Sequence, residues 1–154
     1  MEIRSLNADK FKGKSDKLDL KIDTFQIIVA ELNNKEVPDT IKSQINAEID
    51  SLNASTSEAK PFKKQLYKTQ TKILALVKKE LKLVPINHYR SVWMAIGMAV
   101  FGVPIGVGYG TAIGNMGLLA IGIPIGMVIG MAVGAGMDKK AKQEGKQLNV
   151  EIKL

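Results

Sequence analysis

Between Ser91 and Met137 the chain runs for 47 residues without an Asp, Glu, Lys, Arg or His. An α-helix rises about 1.5 Å per residue and the hydrocarbon core of a bilayer is about 30 Å thick, so one crossing takes roughly 20 residues. A single helix over the whole run would reach about 70 Å, more than twice what a bilayer covers. Two crossings fit. The break falls at Gly114-Asn115-Met116-Gly117, where turn-forming residues flank the only amide of the run. This places the spans at 92–113 and 117–137. Helices are expected, because backbone in lipid must satisfy its own hydrogen bonds. Apolar and polar residues do not alternate as a transmembrane β-strand requires. Neither span has the polar face that a soluble core helix shows.

The flanks orient the hairpin. Residues 1–59 are net −3, residues 60–90 net +8 and residues 138–154 net +2, so the basic excess lies beside the apolar run. Lys78, Lys79, Lys82 and Arg90 precede the first span, Lys139 and Lys140 follow the second, and the turn carries no charge. Lys and Arg collect on cytoplasmic flanks, so both termini are expected in the cytoplasm of a cell whose inner membrane the hairpin crosses. These six cations are the expected contacts to anionic headgroups. Tyr89 and Trp93 stand where an interfacial aromatic belt would. The first thirty residues lack the apolar core of a signal peptide, so the apolar run itself is the expected targeting signal.

The run is also repeated. Gly102-Val-Pro104-Ile-Gly106 recurs twenty residues on as Gly122-Ile-Pro124-Ile-Gly126. Glycines follow every fourth residue, at Gly102, Gly106, Gly110 and Gly114, then at Gly122, Gly126, Gly130 and Gly134. Residues four apart share a helical face. Lipid supplies little hydrophobic push between helices, so association rests on close backbone approach, which glycine permits. The stripes are expected to pack helices within the chain, between copies in a homo-oligomer, or both. Pro104 and Pro124 each lack an N–H and free the carbonyls of Val100 and Ala120, which predicts matched kinks.

These two glycine series, closed by Met137-Asp138-Lys139-Lys140, resemble the glycine-zipper membrane proteins of bacteria. The resemblance covers the last third of the chain. It implies a membrane hairpin and little about purpose.

The N-terminal half reads as helices. Phe62, Leu66, Ile73, Val77, Leu81 and Val84 recur at helical spacing among lysines, from near Pro61 to before Pro85. This basic amphipathic helix is expected to lie on or near anionic lipid; the alternative is that its apolar face packs on the helices upstream. Ile41, Ile45, Ile49 and Leu52 form one face of a helix begun by Pro38-Asp39-Thr40. Residues 16–34 mix strand-like alternation with helical spacing and are assigned helix. Asn53 to Ser57 is a polar linker, and residues 1–15 are expected to be mobile. The expected fold is all-α: an N-terminal mostly helical cytoplasmic region over 1–59, the basic juxtamembrane helix over 60–90, the transmembrane hairpin over 91–137 and a charged tail over 138–154.

Catalytic constellations are missing. The chain has no cysteine and one histidine, His88. That excludes thiol chemistry and a His-based triad or multi-His metal site within one chain. Gly106-Val-Gly108-Tyr-Gly110 has no P-loop Lys or Ser/Thr behind it. No cofactor is expected. Nucleic acid is not an expected partner, because aromatics and arginines are sparse. The expected function is a non-enzymatic structural or interaction role, in which a self-associating hairpin presents a helical module to an unidentified cytoplasmic protein. The competing reading is an oligomeric pore or membrane-permeabilising effector of the holin or toxin kind, with a lining that would gate by wetting rather than by charge.

Overall fold

A computed structural model describes residues 1–54 and 58–152 of the chain, and it is mostly helical. Of the expected polar linker, residues 55–57 lie outside the described residues. The chain divides into two compact units, Met1–Val84 with Leu148–Leu154, and Pro85–Gln147.

The first unit is built on three helices: α1 (Asp16–Asn33), α2 (Asp39–Asn53) and α3 (Ala59–Leu81). Each buries one stripe at helical spacing. In α1 it is Leu18, Ile22, Phe25, Ile28, Val29 and Leu32, so helical spacing prevails over the strand-like alternation at its start. In α2 it is Ile41, Ile45, Ile49 and Leu52. In α3 it is Phe62, Leu66, Ile73 and Val77. The apolar face of the basic helix is therefore inside the protein, leaving its lysines at the surface. Of the two sequence readings of this helix, packing on the upstream helices is the one the structure has. Lys78 and Lys79 occupy its last turn, where cations favour the carbonyl end of the helix dipole.

Residues 1–15 are not the mobile segment expected from their polarity. Ile3, Leu6, Ala8 and Phe11 are buried, and the Phe11 ring stacks on Phe62 with centroids 3.9 Å apart. Three asparagines pin the backbone of this arm. Asn33 accepts from the Ile3 N–H at 2.9 Å and donates to the Ile3 carbonyl at 3.0 Å. Asn46 accepts from the Arg4 N–H at 2.8 Å and donates to the Glu2 carbonyl at 3.1 Å. Asn53 accepts from the Asn7 N–H at 2.9 Å. Sequence periodicity does not register an extended arm, because its apolar residues follow no helix or strand period.

The C-terminal tail is also more than a charged extension. Two short strands, β1 (Val84–Ile86) and β2 (Gln147–Glu151), pair in a two-stranded sheet. Along β2 Leu148 and Val150 are buried and alternate with exposed Asn149 and Glu151, the period-two pattern of a strand on a core. The Asn149 N–H donates to the Glu31 carboxylate at 2.8 Å.

The second unit is helical. A continuous run of 26 residues, His88–Ile113, comprises α4 (His88–Gly97), a π-helical turn (Met98–Gly102) and α5 (Val103–Ile113). It is followed by a 3₁₀ turn at Met116–Leu118 and by α6 (Leu119–Gln143). Both long helices have the length and apolarity to cross a membrane.

The N-terminal arm supplies a test of this core. Replacing Phe11 by Ala removes a fully buried ring and its stacking partner, and should cost about 3–5 kcal/mol. Denaturant unfolding of the solubilised protein, followed by far-ultraviolet circular dichroism, checks it. A loss below 1 kcal/mol would show that the arm is not part of the core.

Candidate functional site

The second unit is packed the opposite way to a soluble protein. From Gly97 to Gly134 the buried residues are all glycines among the described side chains: Gly97, Gly102, Gly106 and Gly110 on the first helix, Gly122, Gly126, Gly130 and Gly134 on the second. The large side chains point outward. Val100, Tyr109, Ile113, Ile121 and Val128 are each more than half exposed.

The glycines meet backbone to backbone. A Cβ on Gly126 would stand 2.6 Å from the Gly102 Cα and closer still to the Gly97 carbonyl oxygen. One on Gly122 would meet the Gly106 N at 2.5 Å, and one on Gly134 would meet the Arg90 Cα at 2.5 Å. Gly130 faces the Trp93 carbonyl and Gly97. These pairs descend one helix as they ascend the other, so the helices are antiparallel and any side chain larger than hydrogen must separate them. The glycine faces that could have joined separate copies are thus occupied within one chain.

Two details differ from the sequence register. Gly114 is not in the stripe. It ends α5 with φ +71, a left-handed conformation that glycine adopts without strain, and no atom crowds it. Gly97 takes its place at the other end. At about 100° per residue, five α-helical residues would put Gly97 about 140° from Gly102. The π turn between them absorbs the extra residue and returns both to one face. Its bonding shows in the Val103 N–H, which donates to the Met98 carbonyl. Pro104 lies just beyond, where its ring would press on the Val100 carbonyl of a regular helix. The π turn beside Pro104 has no counterpart at Pro124, through which α6 stays α-helical. Pro124 enters near the start of α6 and meets only its first turn, whereas Pro104 interrupts the middle of a long helix.

Two polar side chains of the run bond locally. The Thr111 hydroxyl donates to the carbonyls of Val107 at 2.9 Å and Gly108 at 3.0 Å. In the turn the Asn115 side chain accepts from the Gly117 N–H at 2.9 Å. At the far end Asp138, only 7% exposed, closes the hairpin. Its carboxylate oxygens accept from the N–H groups of Tyr89 at 3.0 Å and Arg90 at 2.9 Å. Those N–H groups belong to the first turn of α4 and have no partner within their own helix. A carboxylate also suits the positive end of the helix dipole. The sequence reading missed Asp138. The signal was present: it is the first charge after the apolar run, an acid among lysines.

The cations expected to touch lipid are all at the surface. Lys78, Lys79, Lys82, Arg90, Lys139 and Lys140 are exposed. Lys82 holds a left-handed conformation just after α3, with φ 59. Lys140 lies 3.9 Å from Glu144, which pairs with Lys146 at 2.7 Å. The Lys146 hydrogen bond, with its charge, holds the Glu144 carboxyl below its ordinary range. Among the described residues no group of three His, Asp or Glu side chains is placed to hold a metal ion.

Comparison with protein families, curated proteins and solved structures returned no match.

Two substitutions separate packing from composition. Gly126→Ala forces the helices apart and should destabilise the hairpin by about 1–3 kcal/mol. Gly108→Ala meets open space, and should stay within about 0.5 kcal/mol of wild type. Equal effects in detergent unfolding would remove the backbone contact as the cause. Asp138→Ala should cost about 0.5–2 kcal/mol through loss of the cap, with faster amide exchange confined to the start of α4. Unchanged exchange at Tyr89 and Arg90 would count against the cap.

Proposed function

We propose that the protein is a membrane-anchored, non-enzymatic interaction module. Its glycine-lined hairpin inserts into the cytoplasmic membrane and holds the N-terminal helical unit on the cytoplasmic side. The observation that carries this reading is the inverted packing of the second unit. A soluble protein buries its apolar side chains, yet here Ile, Val, Met and Tyr face outward on helices only 17% and 22% buried over their most apolar stretches. An exposed apolar surface of this extent, free of charge, matches hydrocarbon and not water.

The flanks support the orientation. Arg90, Lys139 and Lys140 lie at the open end of the hairpin, and the Asn115 turn has no charge, so the positive-inside rule puts the turn outside. Exposed Lys78, Lys79 and Lys82 add basic surface that anionic headgroups would attract at about 1 kcal/mol per residue near the membrane. The reading as an anchor also agrees with the closed contact face. Two helices in backbone contact leave no lumen between them, so a pore would have to be built by several hairpins through their outer faces.

Because the chain has no native cysteine, single cysteines report topology directly. The tests place one at Ser5, Asn115 or Lys142 in bacterial cells expressing the full chain. The expected result is an alkali-resistant membrane protein in which only the Asn115→Cys variant reacts with an impermeant maleimide in spheroplasts. Extraction by alkali would overturn the anchor. Reaction at Ser5→Cys would overturn the orientation. Membrane depolarisation on expression, abolished in a Gly106→Leu/Gly126→Leu variant at equal abundance, would replace the anchor by the pore.

A further inference from the structure

The first unit contains a track for an extended peptide, at present filled by the chain's own N-terminus. Residues 1–8 form neither helix nor strand. Their backbone is held by side chains of other elements. Asn46 and Asn53 lie seven residues apart on α2 and bond the N–H groups of Arg4 and Asn7. Seven helical residues rise about 10.5 Å, and three extended residues span about 10 Å. The two rungs therefore match the repeat of an extended strand. Asn33 adds a two-way bond to Ile3, as a neighbouring strand would. Along the same stretch Ile3, Leu6 and Ala8 are buried almost completely.

The arm reaches this track through a short connection, Lys12 to Ser15. Closing it within one chain requires a particular hinge. Gly13 takes φ +79, and its N–H donates to both Asp19 carboxylate oxygens at 3.1 Å. L residues rarely adopt such a backbone. Detaching the arm outright would expose Ile3, Leu6, Ala8 and Phe11 to water and leave the buried Asn46 amide without partners. Exchanging it for the same arm of a second copy preserves every one of those contacts and changes only the hinge. Swapping of an identical element is a low-cost route to dimers. Confinement of copies to one surface raises their effective concentration.

We propose that the α1–α2 groove binds the N-terminal arm of a second copy, so that self-association proceeds by arm exchange between first units and not through the glycine faces. This names the partner of the N-terminal unit and does not depend on the hairpin entering a bilayer, so failure of either reading is visible without the other.

The test uses full-length chains in detergent and in cells. Arg4 and Asp50 form an exposed ion pair across the groove. Exposed pairs contribute little to stability, so either residue tolerates replacement. Chains carrying Arg4→Cys are co-expressed with chains carrying Asp50→Cys and treated with a short bis-maleimide. The control replaces the second variant by Thr71→Cys on α3. The expected result is a covalent dimer from the Arg4/Asp50 mixture well above the control. Gly13→Val strains only the closed hinge, and a left-handed conformation costs about 1–2 kcal/mol for an L residue, so it should raise the dimer about fivefold or more. Asp19→Ala should raise it in the same direction, and serves if Gly13→Val fails to fold. A dimer no more abundant than in the control would overturn the proposal. So would a dimer yield that neither hinge variant increases.

Discussion

Backbone contact between two antiparallel helices is the constraint on which the second unit depends. In hydrocarbon, apolar side chains gain little by leaving lipid for each other, so helix pairing rests on dispersion at short range and on satisfied polar groups. Glycine at Gly97, Gly102, Gly122, Gly126, Gly130 and Gly134 removes the atoms that would hold the axes apart. Everything else in the hairpin is arranged around that approach. The π turn keeps Gly97 on the shared face, Gly114 reverses the chain without strain, and Asp138 closes the open end on the N–H groups of α4.

The first unit is packed by the opposite rule. Its helices bury Leu, Ile, Val and Phe and leave lysines and acids at the surface, so its core gains the hydrophobic term. Its polar interior is spare but specific. Asn46 is buried and serves two backbone groups of the arm, so the arm's path is fixed by hydrogen-bond geometry as well as by the seats of Ile3, Leu6 and Phe11. A buried amide without those partners would cost free energy, which makes an occupied groove the stable state. The same chemistry underlies arm exchange, because the groove reads backbone and apolar side chains that any copy can supply.

The lysines of α3 show how one residue pattern admits two physical roles. A basic amphipathic helix beside an apolar run fits a membrane surface by composition alone. In the structure its apolar face belongs to the core, and the surface it offers is only its basic side. Electrostatic attraction to anionic lipid remains available to exposed Lys78, Lys79 and Lys82, whereas insertion of the apolar face does not.

The apolar run, its division at Gly114-Asn115-Met116-Gly117 and the α2 and α3 faces were legible from sequence, because each is a local property of composition or period. So were seven of the eight buried glycines, since a fourfold spacing marks one face of a regular helix. The exceptions are instructive. Gly97 was hidden by a five-residue interval that only a π turn brings into register, and Gly114 was drawn into the series by spacing although the chain turns there. The Asn33, Asn46 and Asn53 clamps join residues at least thirty positions from their partners, and Asp138 caps a helix 49 residues away. No periodicity carries such pairings. Sequence alone determined where α1, α2, α3 and the two long apolar helices lie, because helical period and apolarity reside in the side chains. Tertiary structure decided what each polar or glycine residue meets, because a hydrogen bond or a backbone contact depends on the partner brought within about 3 Å.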